Sequence, residues 1–489
     1  MNPIDLTIFI IYIFGVLGVG YYFMRKNEGI ADFYLGSRKI TYPHIGLSVV
    51  ATDVGGGFSI GLGGLGFIMG ISGSWMLFTG FLGAWLSAVY LIPKVKNLST
   101  DQGFYTMPEL FNYFFNSKAA LIAGIISAIG YIGFTSSQML AGAKLASASF
   151  EGLSLDIALY MMGFIIVVYT VMGGIKAVIY TDTFQWILLM AGLIFIGIPI
   201  SYFAIGGMDG IQANVPAEFL TLTNITWQQS VNWGVTILPI WFVGMTLYQR
   251  IYASRSEREA QKAWYVAGFF EWPIMAFMGV LLGMFANVAA EQGMFSYMGY
   301  DTAAEIDAEM GLPFLLRTVL PVGLMGLMMS AYFSAIMSTA DSCLVAASGN
   351  VSTDIIEKIF KLELPYSSQI RFSQLVTLVL GFGALLLAAT MENVLEIMLY
   401  SYAFMVSGLL VPVIGALYWK KSSSKGAIGA MITGGGTTIT LTILGSELPF
   451  GLDPNIFGIT AALVVFIVLS IGLPDAKNLE SNQITSNTL

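Results

Sequence analysis

Between Ala51 and Gly66 the chain reads ATDVGGGFSIGLGGLG, placing one carboxylate, Asp53, and the glycines Gly55–Gly57 inside an otherwise apolar stretch. A carboxylate at bilayer depth is costly unless it faces a polar cavity or a partner. Each glycine weakens a helix by about 1 kcal/mol relative to alanine. Together they predict a helix that breaks and leaves backbone carbonyls free for a ligand, as half-helices near a membrane midplane do for small cations. A second constellation is SAIMSTADS at 334–342. Residues three and four apart share a helix face, so Ala335, Ser338, Thr339 and Ser342 align. Their hydroxyls and a main-chain carbonyl, with two carbonyls from the broken helix, form the oxygen set a hard monovalent cation requires. The competing use of such hydroxyls is a bond back to their own helix.

Other residues carry open alternatives. Asp53 can bind a cation, orient the unwound segment, gate access, or anchor neighbouring amides. Asp182, in YTDTFQ at the end of a span, fits an interfacial role or an ion path. Phe134, Gln138, Trp241, Tyr402 and Phe404 lie on helices expected around a cavity, with Gly55, Gly56 and Phe58 at the break. An aromatic box holds an alkyl-ammonium group by about 0.5–2 kcal/mol per ring, whereas most membrane aromatics pack or anchor at the interface. Gly61–Gly66 matches a dinucleotide-binding pattern by letter, but no strand precedes it and no acidic residue follows at the required distance.

The elements that must position these residues are membrane helices. The chain is 56% hydrophobic and 10% charged, with mean hydropathy +0.78, whereas soluble domains are near a quarter charged. Thirteen apolar stretches fit spans: 4–24, 45–68, 73–97, 119–147, 157–173, 183–206, 231–252, 264–288, 313–347, 371–390, 393–418, 426–445 and 453–473. The 313–347 stretch is long enough to tilt. With the N-terminus outside, every Lys and Arg except Lys144 and Arg317 falls in a cytoplasmic loop, Arg250 among them, which argues for N-out and C-in. Arg25 and Lys26 follow the first span and no basic leader precedes it, the pattern of a retained helix. The acidic 289–312 loop reads as a solvated surface. One cysteine and one histidine exclude an internal disulfide and a histidine metal centre. Nothing points to nucleic acid, and no nucleophile–base pair suggests an enzyme.

One membrane domain, 1–473, is therefore expected, with a disordered cytoplasmic tail at 474–489. Breaks at corresponding places in two halves point to inverted repeats. Gly55–Gly57 break the second span, and Pro239, five spans later, removes a backbone hydrogen bond. Repeat one then covers about 45–206 and repeat two about 231–418.

Six stretches carry a resemblance to a known family: YLGSRKI (34–40), SVVATDVGGG (48–57), VYTVMGGIKAVIYTDTFQ (168–185), YQRIYASRSEREAQK (248–262), AIMSTADSCL (335–344) and VLEIMLYSYAFMVSGLLVPV (394–413). In this order they resemble the sodium:solute symporter family. The resemblance implies an all-α polytopic membrane protein with a leucine-transporter-type fold of two inverted five-helix repeats. It implies Na+ as coupling ion, held by Ala51, Val54, Ala335, Ser338 and Thr339. A second sodium at Asp182, Ser338, Asp341 and Ser342 follows from some members. Arg38, Ser48 and Asp53 resemble the sodium/proline branch, and the glycine run and MSTADS resemble choline transporters. Leu77 and Phe58 stand where sugar carriers place polar groups, which disfavours a sugar. The expected function is sodium-coupled import of a small organic solute, proline or another zwitterion first. A choline, betaine or monocarboxylate carrier, or a non-transporting sensor, is the alternative. A plasma (inner) membrane location and a monomer sufficient for transport complete the expectation.

Overall fold

The computed structural model describes residues 2–26, 38–357, 366–445 and 448–475. The tail from 476 onward and the start of the YLGSRKI stretch lie outside the described residues, as do the side chains of Val54 and Phe58. Each of the thirteen apolar stretches is mostly helical. The helices are α1 Pro3–Lys26, α2 Tyr42–Val54, α3 Gly56–Met69, α4 Trp75–Tyr90, α5 Ser117–Ser149, α6 Leu155–Gly192, α7 Trp227–Val243 and α8 Met245–Ala253. They continue as α9 Glu257–Phe269, α10 Ala276–Glu291, α11 Ala308–Val319, α12 Leu324–Gly349, α13 Tyr366–Ala388, α14 Val394–Tyr418, α15 Ser424–Leu444 and α16 Pro454–Gly472. Among the described residues nine helices are long and apolar enough to cross a membrane, or ten if α7 and α8 form one bent span. One of the nine, Ser59–Tyr90, runs from α3 into α4; α1, α2 and α12 are not among them, α12 because its hydroxyls and Asp341 dilute its apolar character.

Several helix starts carry side-chain caps. Asn116 accepts from the Ala119 amide (3.0 Å), Ser256 from that of Glu259 (3.3 Å) and Ser423 from that of Gly426 (3.1 Å). Each satisfies one of the amides that the first turn leaves without a partner. The α3 start, at Gly55–Gly56, has no side-chain cap. The α8 start, after Gly244, has its Thr246 amide closed by the Tyr131 hydroxyl at 3.1 Å. These two starts are the breaks in the second and seventh spans.

Three expectations need correction. The break in the seventh span lies at Gly244, not Pro239: α7 runs through Pro239 and the chain bends by 40° one turn later, where Gly244 turns extended. The 313–347 stretch is not one span. Pro321 and Gly323 (φ +91°) separate α11 from α12, turn chemistry that an apolar run had hidden. The Asp5 carboxylate of α1 accepts from the Gly323 and Gly326 amides (2.7 and 2.8 Å), so the α12 start is capped from another helix. Third, Arg250 is not in a loop; it is fully buried on α8. The two stretches 157–173 and 183–206 join in α6, yet the Tyr169 and Thr181 hydroxyls meet at 3.2 Å. Twelve residues of straight helix would hold their Cα atoms about 18 Å apart. The segment therefore folds back as two spans.

The divided helix sits at the centre. α12 packs against α5, α6, α2 and α3, and α10 lies along α3. Small residues make that approach possible: a Cβ at Gly66 would fall 2.1 Å from the Val280 carbonyl oxygen.

Candidate functional site

At the break, Gly55 and Gly56 press directly on α12. A Cβ on Gly55 would lie 1.7 Å from Thr339 Oγ1, and one on Gly56 1.9 Å from Ile336 Cγ1. Only glycine fits at that distance. Thr339 Oγ1 donates across the contact to the Ala51 carbonyl (3.0 Å) and is also 3.2 Å from the Ala335 carbonyl. A cavity of about 10 Å³ adjoins it, lined by Ala51, Gly55, Gln185, Trp186, Ala335 and Ser338 among others. That is about one water-sized sphere. The structure thus brings Ala51, Ala335, Ser338 and Thr339 to one point. Sequence reasoning missed Gln185 there: its Oε1 is buried with no donor among the described residues, while its amide donates to Tyr12 (3.2 Å).

Asp182, Ser338 and Ser342 also meet, around a group the sequence had assigned elsewhere. Asp182 Oδ1 accepts from Ser338 (2.5 Å), and Oδ2 accepts from Ser48 and Arg250 (3.3 Å). Arg250 further donates to Thr52 (2.6 Å), Ser342 (2.8 Å), Ser48 (3.1 Å) and the Thr246 carbonyl (3.2 Å). Both members of the Arg250–Asp182 pair are fully inaccessible. A guanidinium with its fork filled this way compensates a buried carboxylate. Asp341 accepts from the Ser342 amide (2.8 Å), with its other oxygen unpaired among the described residues. The candidate second-sodium residues are therefore neighbours, and the positive charge among them is Arg250.

Asp53 is buried, and its Oδ1 accepts from the Tyr402 hydroxyl at 3.3 Å. The Tyr402 ring stacks on Phe134 at 4.9 Å and 21°. Trp241 is buried against Trp264 and fills the space left by Gly83, where a Cβ would lie 2.4 Å from its Cδ1. Gln138 is buried and donates to Ser137 (3.1 Å). Phe404 does not join this group: its ring lies 3.1 Å from the Cβ position of Gly435 on α15. On α14, Tyr402 and Phe404 are two residues and about 200° apart, so they cannot serve one cavity.

The acidic loop is not merely solvated. Lys144, buried on α5, pairs with Asp307 (2.6 Å) and Glu309 (2.7 Å). Glu309 also accepts from the Val394 and Leu395 amides (both 2.9 Å), capping α14. Beside this latch opens a cavity of about 370 Å³ lined by Gly61, Gly64, Asp307, Glu309, Glu396 and Asp453. Glu309→Gln should lower stability by about 3 kcal/mol, since it strips a buried ammonium of its buried partner. Asp307→Asn, at a half-exposed partner, should cost under about 1 kcal/mol. Urea unfolding of the two variants checks the ranking; equal losses would contradict it.

Comparison with known proteins agrees with this geometry. The sodium:solute symporter family model matches residues 33–434. The high-affinity proline transporter PutP of Bacillus subtilis (strain 168) is 27% identical, covering 93% of this chain and 95% of its own. The sodium/proline symporter of Escherichia coli (strain K12) is 26% identical, covering 95% and 93%. The sodium/glucose cotransporter of Vibrio parahaemolyticus is 26% identical, covering 97% and 92%. A solved Na+-coupled sialic acid symporter superposes with a TM-score of 0.79 at 20% identity, over 97% of this chain and 99% of that one. At that identity the match establishes the fold, the leucine-transporter type with two inverted repeats.

Proposed function

This chain belongs to the sodium:solute symporter family, a membrane-embedded transporter with Na+ as its coupling ion, and we propose that its solute is an amino acid or similar zwitterion such as proline. Repeat one, about 45–206, and repeat two, about 231–418, rock against each other around the two broken spans. The N-terminus lies outside and the C-terminus in the cytoplasm, on the strength of the basic-residue asymmetry, and one copy suffices for transport. The observation that carries the ion site is the Thr339 hydroxyl set 3.0 Å from the Ala51 carbonyl across the break, beside a cavity of one-ion size.

Sodium held by Ala51, Val54, Ala335, Ser338 and Thr339 ties α2–α3 to α12 and completes the pocket at the uncapped start of α3. There the solute carboxylate meets the leading amides of α3, which carry no side-chain cap, at a positive helix end. Asp53, three residues before Gly56, takes the opposite charge, with Tyr402, Phe134 and Trp241 around it. Linkage requires that solute tighten sodium by the factor by which sodium tightens solute. Opening toward low-sodium cytoplasm separates α2 from α12 and releases both. Two amino-acid carriers among the relatives support this class of solute.

The double variant Ser338→Ala with Thr339→Ala should raise the sodium concentration for half-maximal uptake at least about tenfold, or 1.4 kcal/mol. Sodium titration of proline uptake in proteoliposomes is the measurement, and an unchanged midpoint would remove the site assignment. A second sodium at Asp182, Ser338, Asp341 and Ser342 would have to share Asp182 with Arg250. An unchanged sodium Hill coefficient in Asp341→Asn would leave one coupling ion.

A further inference from the structure

Glu271 lies on the wide π turn Phe270–Met275 between α9 and α10, where Trp272 leaves helical geometry. It is 1% exposed, and neither of its carboxyl oxygens is reached by a donor among the described residues. Its carboxyl group meets that of Asp53, whose Oδ2 also lacks a donor. Gly80 on α4 makes the room, since a Cβ there would lie 2.2 Å from Glu271 Oε1. Two of the buried basic side chains are committed elsewhere: Arg250 to Asp182 and its hydroxyls, Lys144 to Asp307 and Glu309.

Two carboxyl groups facing each other away from water must share a proton or hold a cation between them, and the cation takes the proton's place when it binds. We propose that Asp53 and Glu271 form one anionic subsite that binds the ammonium group of the transported solute, which is therefore a primary or secondary amine. The N–H bonds decide the class. An ammonium with two or three of them donates to both carboxylates in short charge-assisted bonds. A quaternary ammonium has none, and a monocarboxylate or neutral sugar leaves the pair uncompensated. The stacked rings of Phe134 and Tyr402, the latter already hydrogen-bonded to Asp53, offer faces to the carbon skeleton. This rests on the symport reading above and narrows it.

The test is the melting temperature of the purified full-length protein in sodium and in potassium, at equal ionic strength. Methylammonium, tetramethylammonium and L-proline are titrated against wild type, Glu271→Gln and Asp53→Asn. A species that binds only the native state must raise stability. Methylammonium is expected to raise the wild-type midpoint and tetramethylammonium to leave it unchanged. Glu271→Gln should abolish the methylammonium shift and weaken apparent proline affinity at least tenfold while keeping the shift from sodium alone. Equal responses to the two ammonium ions, no response to methylammonium, or a shift that survives Glu271→Gln would overturn the subsite. If Glu271→Gln does not fold, Asp53→Asn gives the same readout, and the wild-type comparison needs no variant. Loss of the sodium shift in wild type would instead strike the symport reading and leave the ammonium comparison standing.

Discussion

Replacing Arg250 with methionine is expected to lower folding stability by about 3–5 kcal/mol, because it leaves the Asp182 carboxylate buried without its counter-charge. The substitution removes five hydrogen bonds, to Ser48, Thr52, Thr246, Asp182 and Ser342. Methionine is close in length, so packing changes less than charge. A double substitution with Asp182→Asn should recover at least about 1 kcal/mol, the coupling expected of residues in one network. Thermal unfolding of the four proteins of the cycle measures it. Additive losses would mean that the pair is not coupled, and that Asp182 has another cation.

The second large effect is at the break. Gly55→Ala is expected to abolish sodium-dependent uptake while leaving much of the helical structure intact. The added carbon would fall 1.7 Å from Thr339 Oγ1 and 2.4 Å from its Cβ, so α2 or α12 must move by more than an ångström. Ordinary overpacking costs about 1–3 kcal/mol, and here the displaced atoms are the proposed ion ligands. At least about a hundredfold loss in apparent sodium affinity follows from 2.7 kcal/mol. Gly383, with no atom within 4 Å of its Cβ position, is the control: Gly383→Ala should behave as wild type. Sodium-stimulated proline uptake in vesicles, with circular dichroism alongside, decides the matter. Normal uptake by Gly55→Ala would mean that this contact is not kept during transport.

How far the chain could be read before folding depended on what kind of signal each residue gives. The break at Gly55 was legible because an aspartate and three glycines are improbable in an unbroken span. Its counterpart was placed at Pro239, whose ring does end hydrogen bonds, but α7 absorbs that proline and bends at Gly244 instead. Tertiary contact decided this: the Tyr131 hydroxyl closes the Thr246 amide and makes the glycine the cheaper hinge. Arg250 was counted as a loop cation because charge asymmetry treats every basic residue alike. Only packing shows that α8 carries it inward to Asp182. Glu271 carried the same signal as Asp53, a lone carboxylate in the apolar run FFEWPIM, and the rule that singled out one applied equally to the other. Phe404 was named with Tyr402 because both lie on a helix expected around the cavity, but on that helix their side chains point about 200° apart, and Phe404 faces Gly435.

The cap that Asp5 places on α12 has a practical use. The first helix lies outside both proposed repeats, yet its carboxylate holds the leading amides of the helix that carries Ser338 and Thr339. Any tilt of α12 must drag α1 with it or break that cap. Phe14, on the same helix and 69% exposed, is therefore a position for a spectroscopic label that never touches ion or solute. Its distance to a second label on α15, followed by double electron–electron resonance with and without sodium, would turn an accessory helix into the readout of the working cycle.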